Sequence, residues 1–262
     1  MNEPKYSEKN DNLEQLINNY ADILGGGISG TLGFLAGGPL AAAFAGTAGA
    51  VVTGLIKGIG QEFSKRQLSP REDYRVGKVL AIAALEIHQR LEKGESLRGD
   101  GFLDEKPIDR SDIEDVAEGV LLKCQREPQE KKIEYMGYLF ASFHFNAINS
   151  DMAHQLIKAA EELTYRQLCI LKLAVVRDKY GLRNQNYRSQ VKFPKELYSV
   201  LYECKDLHDR EYINFDAEIG SGLTNTIPGS MTLQAIGNDL FNLMKLSSIP
   251  DEDIIPIAEV LK

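Results

Sequence analysis

Three patterns of hydrophobic and polar positions follow one another along the chain. Residues 1–22 contain apolar positions at the spacing of one helical face, from Leu13 to Tyr20. Residues 23–60 are almost entirely small or apolar. From residue 65 onward, apolar positions again recur every three or four residues between polar ones. The pattern therefore predicts an N-terminal amphipathic helix, a hydrophobic segment and a soluble helical region.

Helix-start signals divide residues 65–163 into a helical middle domain. Ser69-Pro70-Arg71-Glu72 combines an N-cap serine, a proline at the first helical position and the glutamate of a capping box. This signal predicts a helix that ends near Gly94. Similar signals predict further helices at about 111–126, 128–145 and 150–163, and a capping box at Thr164 begins another that ends near residue 180.

The pattern of predicted elements changes in residues 164–262. A helix near 194–208 is followed by strand-like residues at 212–215 and 218–219, a glycine-rich turn at 220–222 and a helix near 234–245. This order resembles a winged-helix module. The fold class is thus expected to be mainly α, with an N-terminal Gly/Ala-rich helix or helical hairpin, the helical middle domain and a winged-helix-like α+β C-terminal module.

The charge of this module indicates what it recognises. A DNA-binding module needs Lys and Arg on its second helix, but here that helix carries more acidic than basic residues, and the whole chain has a net charge of −8. We therefore expect the module to recognise protein or to oligomerise, and we expect no nucleic acid as a partner.

Composition singles out residues 23–60. They hold 12 of the 23 glycines, and 34 consecutive residues between Asp22 and Lys57 carry no charge. Each glycine inside a water-exposed helix costs about 1 kcal/mol relative to alanine. In lipid, a chain that must satisfy its own backbone hydrogen bonds becomes helical, and small residues then gain a use. The segment is therefore predicted to be membrane-competent.

Small residues recur every four positions in this segment and so form stripes along helical faces. A glycine-zipper stripe of this kind lets two helices approach closely, because no side chain separates the backbones. The candidate membrane-packing and oligomerisation residues are Gly26, Gly30, Gly33, Gly37, Gly46, Ala50, Gly54 and Gly58.

The length of the segment leaves its arrangement open. One transmembrane helix needs about 20 residues, and Gly37-Gly38-Pro39 is a turn signal near the middle. The segment is either a helical hairpin with arms near 22–37 and 39–60, or a single span over 39–59 preceded by an interfacial piece. A buried core hairpin and a simple anchor are alternatives. A dinucleotide-binding loop is disfavoured, since Gly25-Gly26-Gly27 follows a helical pattern and not a strand.

A basic flank follows the hydrophobic segment. Its candidate residues are Lys57, Lys65, Arg66 and Arg71. Basic residues beside a membrane segment favour the anionic cytoplasmic face. The alternative is an ordinary solvated linker.

Candidate chemistry is sparse, and we expect no catalytic residue, metal or cofactor. The sequence contains no phosphate-binding loop, zinc-site spacing or nucleophile elbow. Cys124, Cys169 and Cys204 lie far apart, so we expect reduced thiols that are mostly buried. The N-terminus has no secretory or lipidation signal, which predicts a protein that is made and kept in the cytoplasm.

The overall plan resembles the bacterial membrane-acting effectors of anti-phage and abortive-infection systems. The Gly/Ala-rich segment is similar in composition to the hydrophobic hairpin of colicin-type pore formers. The resemblance implies a pore-forming, non-enzymatic protein, cytoplasmic at rest, that oligomerises on sensing a trigger and inserts residues 23–60 into the inner membrane. Its modest hydrophobicity favours conditional insertion over a permanent anchor.

The implied partners are membrane lipid, further copies of the chain and a protein trigger such as an oligomeric phage structural protein. Two alternatives from other functional classes stay open. One is a membrane-anchored adaptor or scaffold without pore activity, and the other is a soluble winged-helix regulator.

Overall fold

Helices dominate the computed structural model, which describes residues 26–37, 47–104, 106, 110–189, 192–215 and 222–262. These residues form ten α-helices, three short 3-10 helices and one two-stranded sheet near the C-terminus. The mainly α fold class is therefore confirmed. The chain divides into two compact units, Met1–His154 and Gln155–Lys262.

The first unit contains five complete helices, and two of them begin at capping boxes that the sequence predicts. The helices are α1 (Gly27–Gly37), α2 (Thr47–Ser64), α3 (Pro70–Glu92), α4 (Asp112–Arg126) and α5 (Glu130–Ser142). The capping boxes at Ser69 and Ser111 are both formed: each serine side chain accepts a backbone N–H, and the glutamate three residues later accepts from the serine N–H. The predicted starts of α3 and α4 are confirmed.

Helix α3 lies at the centre of this unit and contacts α1, α2, α4 and α5. Its buried residues run from Val76 to His88 and include four small ones, which allow neighbouring helices close to its axis. Gly137 of α5 shows how close this packing is, since an added Cβ would lie 2.6 Å from the Ile82 side chain. The glycine-rich helices α1 and α2 therefore pack on the surface of α3.

The second unit is built around α7 (Tyr165–Tyr180), which follows α6 (Ser150–Glu162), the helix that contains the division between units. Eight consecutive residues of α7, from Gln167 to Ala174, are buried. The remaining elements are α8 (Lys195–Asp209), β1 (Ile213–Asn214), β2 (Thr232–Leu233), α9 (Ala235–Leu243) and α10 (Asp251–Val260), with 3-10 helices at Leu223–Asn225, Pro228–Ser230 and Leu246–Ser248.

The two strands pair antiparallel, with Ile213 opposite Leu233 and Asn214 opposite Thr232. The strand predicted at 212–215 is therefore confirmed over two residues. Gly237 lets α9 begin against this pair, because a Cβ there would lie 2.0 Å from the Tyr212 carbonyl oxygen. The predicted N-terminal helix at 1–22 and the predicted strand at 218–219 lie outside the described residues.

One helix prediction needs correction, and one helix was not predicted. Helix α5 begins at Glu130 and ends at Ser142, within the predicted 128–145, because residues 143–145 continue as a turn. Helix α10 was not predicted at all. Its Pro256 lies inside the helix, where proline normally interrupts the hydrogen-bond ladder, while Asp251, Glu252 and Asp253 suit the dipole of its first turn.

Candidate functional site

The candidate site is the pair of helices α1 and α2, which contact each other and both contact α3. The two-helix arrangement agrees with the hairpin alternative, although the connecting residues 38–46, including Gly46 and the Gly38-Pro39 turn signal, lie outside the described residues. The observed bounds differ from the predicted arms, since α2 extends to Ser64.

Helix α1 packs on α3 at a crossing that only glycine permits. A Cβ on Gly77 of α3 would lie 2.2 Å from the Gly27 carbonyl carbon, and Gly27 itself has a φ of +57°. Thr31 is fully buried at this crossing, with its Oγ1 3.0 Å from the carbonyl oxygens of both Gly27 and Gly77. Ile28 and Leu35 are buried on the same face of α1. The backbones of α1 and α3 therefore meet directly.

Helix α2 uses one apolar face for packing. Val52, Ile56, Ile59 and Phe63 recur at helical spacing and are all at least 95% buried. Gly60 provides a close approach to α1, because an added Cβ would lie 2.8 Å from Cδ2 of Leu32. Burial of these side chains is the main contribution that holds α2 in place, at roughly 1.5–3 kcal/mol for each large apolar side chain.

The opposite face of α2 carries the predicted glycine stripe and is exposed. Ala50, Gly54 and Gly58 are exposed, and Val51 beside them is 53% exposed. At Gly54 and Gly58, no heavy atom of the described residues, other than those of the neighbouring residues and the surrounding α2 backbone, lies within 4 Å of the position that a Cβ would take. This part of the stripe has no packing partner among the described residues.

The other predicted stripe residues lie on α1 or just before it. Gly33 is exposed with open space at its Cβ position, whereas Gly30 is half-buried and its N–H donates to the Gly26 carbonyl oxygen at 2.9 Å. Gly37 is the last residue of α1. The close contacts among α1, α2 and α3 instead involve Gly27, Gly60 and Gly77, which the four-residue spacing did not identify.

Of the glycines that the four-residue spacing did not identify, Gly77 does have a signal in the sequence. Gly77 is an isolated glycine in the interior of an otherwise strong helix, where it costs about 1 kcal/mol relative to alanine. Such a cost indicates a close approach by another backbone, but the sequence does not say which segment approaches.

Four charged side chains join the C-terminal end of α2 to α4 and to the residues before it. Arg66 donates to Glu118 at 2.5 Å and to Glu62 at 3.2 Å, and Arg110 pairs with both of the same carboxylates. We call Glu62, Arg66, Arg110 and Glu118 the ionic quartet. Hydrogen bonds from Arg66 and then from Arg110 lower the pKa of Glu118 below its usual range.

The ionic quartet includes Arg66, one of the four residues of the predicted basic flank. The Arg66 guanidinium also lies 4.0 Å from the centre of the Phe63 ring, so this residue is engaged within the protein. Lys57 is half-buried and Lys65 is exposed. Arg71 is 81% exposed, with Glu130 at 4.0 Å. Lys65 and Arg71 are thus the flank residues whose side chains are most available to an anionic surface.

The described residues offer little conventional chemistry. Within them, no group of three or more His, Cys, Asp or Glu side chains is placed to hold a metal ion. Cys124, Cys169 and Cys204 are buried and none forms a disulfide, as predicted. Burial raises the pKa of the Cys204 thiol to about 12, so this thiol is unreactive at neutral pH.

None of the helices in the described ranges has both the length and the hydropathy that crossing a membrane requires. Comparison of the chain with protein-family models, with curated proteins and with solved structures found no match.

Proposed function

We propose that the protein is a membrane-permeabilising effector of the anti-phage type. In this proposal, the resting cytoplasmic form holds α1 and α2 against α3. A trigger drives oligomerisation, and the Gly/Ala-rich segment then enters the inner membrane. The observation that supports this most directly is the exposed stripe of Ala50, Gly54 and Gly58, whose cost in helix propensity is not offset by any packing within the described chain.

The two faces of α2 suit two different surroundings. The face with Val52, Ile56 and Phe63 is apolar and packs against protein at rest; after release, lipid chains replace those contacts. The face with Gly54 and Gly58 has no side chain to separate it from a second helix. Close packing between copies would therefore use the glycine face and leave the larger apolar side chains toward lipid.

Release of the segment has a definite cost in this proposal. The buried side chains of α1 and α2 must leave α3, the Thr31 hydroxyl must give up its carbonyl acceptors, and the ionic quartet must break. Lipid compensates for the lost apolar contacts but not for the ion pairs. We assign the quartet the role of an attachment that keeps α2 docked until the trigger acts.

We also propose that the second unit is the recognition module and that it has a winged-helix-like arrangement. The order α7, α8, β1, β2, α9 and the antiparallel β1–β2 pair support this. Helix α8 carries Glu196, Glu203, Asp206 and Asp209, which disfavours a phosphate backbone and favours a protein trigger, such as an oligomeric phage structural protein.

A second candidate function is a membrane-anchored adaptor or scaffold without pore activity. The observation that favours it is the complete burial of Ile28, Val52 and Ile56 against the helical domain, which is how an ordinary core hairpin packs. In that case, the hairpin would stay docked on α3, and the exposed basic residues Lys65 and Arg71 would hold the protein at the anionic membrane surface.

The decisive experiment is inducible expression in bacteria with a membrane-potential dye, viable counts and fractionation. The test variant is Gly54→Leu, which fits the docked form because the space at its Cβ is open. Replacing an exposed helical glycine by leucine should also raise helix stability by about 1 kcal/mol. The matched control is Gly99→Leu, at another exposed glycine with open space at its Cβ position, outside the hairpin.

We expect the wild-type protein and Gly99→Leu to depolarise cells, and Gly54→Leu to remain folded by circular dichroism but fail to depolarise them. Depolarisation by Gly54→Leu would refute the role of the glycine stripe. Membrane localisation without depolarisation by the wild-type protein would favour the adaptor. A protein that never enters the membrane fraction would refute both.

A further inference from the structure

Helix α8 exposes two tyrosines on the face opposite its buried residues. Leu197, Val200 and Leu201 are buried against the second unit, whereas the side chains of Tyr198 and Tyr202 are 54% and 60% exposed. The two tyrosines are four residues apart and therefore lie one above the other. Two large aromatic side chains in one exposed row are typical of the centre of a protein interface.

The charges along this row indicate what covers it. Lys195 and Asp209 are both exposed, and each lies about two helical turns from Tyr202, in opposite directions and on the same side of the helix. Lys195 forms no ion pair with another described residue. Both carboxylate oxygens of Asp209 accept from Lys205 Nζ at 2.6 Å, and His208 Nδ1 lies 3.7 Å from Oδ1, but each oxygen has a further lone pair for a second cation. The row therefore has a lysine at one end, the carboxylate of the Lys205–Asp209 pair at the other and two tyrosines between them.

We propose that this face of α8 binds the same face of a second copy of the chain, in the antiparallel direction. Tyr202 then meets its own counterpart at the two-fold axis, and Lys195 of each copy faces Asp209 of the other. A parallel arrangement would instead place Lys195 against Lys195. An isologous contact repeats every pair twice, so one favourable charge pair per half contributes at both ends of the interface.

This interface is independent of the proposed membrane activity, because it uses neither α1 nor α2. It also differs from an interface for a foreign protein, since its charge pattern complements itself under a two-fold rotation. A single helix pair buries less area than a standard protein interface, so the dimer should dissociate on dilution. A reversible dimer of this kind would bring two glycine-rich hairpins into one particle before any trigger acts.

The test is sedimentation velocity over a concentration series, using the full chain with Gly54→Leu as background to remove association through the hairpin. We expect a concentration-dependent dimer. Lys195→Asp should raise its dissociation constant by about tenfold, because the charge contact occurs twice. Lys195→Asp combined with Asp209→Lys should restore the original value. Aspartate at the first position of α8 suits the helix dipole, so the fold should tolerate it.

Tyr202→Ala should weaken the dimer at least as much, since it removes the contact on the two-fold axis. Val175→Asp serves as the control, because Val175 is 46% exposed but lies on α7. A protein that is monomeric at all concentrations would overturn the proposal. Reversal of Lys195 without effect, or failure of the double variant to restore the dimer, would also overturn it.

Discussion

Gly77 in α3 and Gly54 in α2 occupy the interiors of neighbouring helices, yet their surroundings are opposite. A Cβ at Gly77 would meet the Gly27 backbone at 2.2 Å, whereas a Cβ at Gly54 would meet open space. The first glycine exists because another backbone occupies the site of its missing side chain. The second carries the same cost in helix propensity without that compensation in the docked form. In the proposed function, this second glycine is used in the inserted state, where it faces another helix.

The largest expected effect comes from substituting these two glycines in parallel. Gly77→Ala should lower the free energy of unfolding by about 3 kcal/mol or more, because the new methyl group cannot be accommodated without moving α1. Gly54→Ala should raise it by up to about 1 kcal/mol through helix propensity alone. Chemical denaturation of the two variants beside the wild-type protein measures both changes.

Gly60→Ala provides a graded test within the same comparison. Its Cβ would contact the end of the flexible Leu32 side chain at 2.8 Å, not backbone. The cost should therefore lie between those of the other two variants. If Gly77→Ala and Gly54→Ala changed stability in the same direction, the distinction between a packing glycine and an unused one would be wrong.

Local signals in the sequence were enough to locate much of the scaffold. Ser69, Ser111 and Thr164 begin helices where predicted, because a capping box is complete within four consecutive residues. The small-residue composition of the hairpin can likewise be read directly from the sequence. These features depend on neighbours along the chain, and so a single sequence contains all the information that they need.

Local sequence signals could not identify which distant residues contact each other in the folded chain. Four-residue spacing predicted Gly54 and Gly58 as membrane-packing residues, and this stays a prediction. It did not identify the contact that the described chain makes, between Gly27 and Gly77. The ionic quartet likewise joins Glu62 to Arg110, which are distant in sequence. Spacing defines a face of a helix and does not say what lies opposite that face, since this depends on how all the helices pack together.

The helical domain also differs from the hairpin in how it should respond to acid. His144, just after α5, is 1% exposed, its Nδ1 lies 3.1 Å from the Phe140 carbonyl oxygen, and its Nε2 has no hydrogen-bond partner in the described part of the chain. Burial lowers the pKa of His144 to about 4, and the nearby Arg98 and Arg90 charges act in the same direction.

Acid should therefore destabilise the domain through His144. An unfolded histidine titrates near pH 6.5 and the folded one near 4, so the unfolded state binds the extra proton between these values. The contribution of neutral His144 is complete above about pH 6.5 and is lost as the pH falls toward 4, by roughly 3 kcal/mol in total.

Denaturation of the wild-type protein and of His144→Gln at several pH values tests this prediction. The wild-type protein should show the steeper loss between pH 6.5 and 4, while exposed His154→Gln should retain the wild-type slope. Equal slopes for the wild-type protein and His144→Gln would show that another group governs the acid response. Because His144 lies in the helical domain and not in α1 or α2, this loss should appear equally in the Gly54→Leu background.

The smallest expected effect concerns the ionic quartet, which attaches α2 to α4. The side chains of Glu62, Arg66, Arg110 and Glu118 are 29–46% exposed, so water screens their attraction. Glu118→Gln should lower the free energy of unfolding by only about 1 kcal/mol. The lowered pKa of Glu118 gives the sign of the pH effect: its contribution is present near neutral pH and is lost as acid protonates the carboxylate.

Salt distinguishes this contribution from apolar packing, because dissolved ions screen charges and leave the burial of Val52 or Phe63 unaffected. At low ionic strength, Glu118→Gln should unfold earlier in urea than the wild-type protein, and the difference should shrink in 1 M NaCl, where the Debye length is about 3 Å. Arg71→Gln is the control, since Arg71 is 81% exposed and its carboxylate neighbour is 4.0 Å away.

If the quartet holds the hairpin docked, Glu118→Gln should also depolarise cells at a lower expression level than the wild-type protein. A stability loss without that shift would make the quartet an ordinary surface network. Apolar packing on α3 would then be the attachment that has to be overcome in the proposed function.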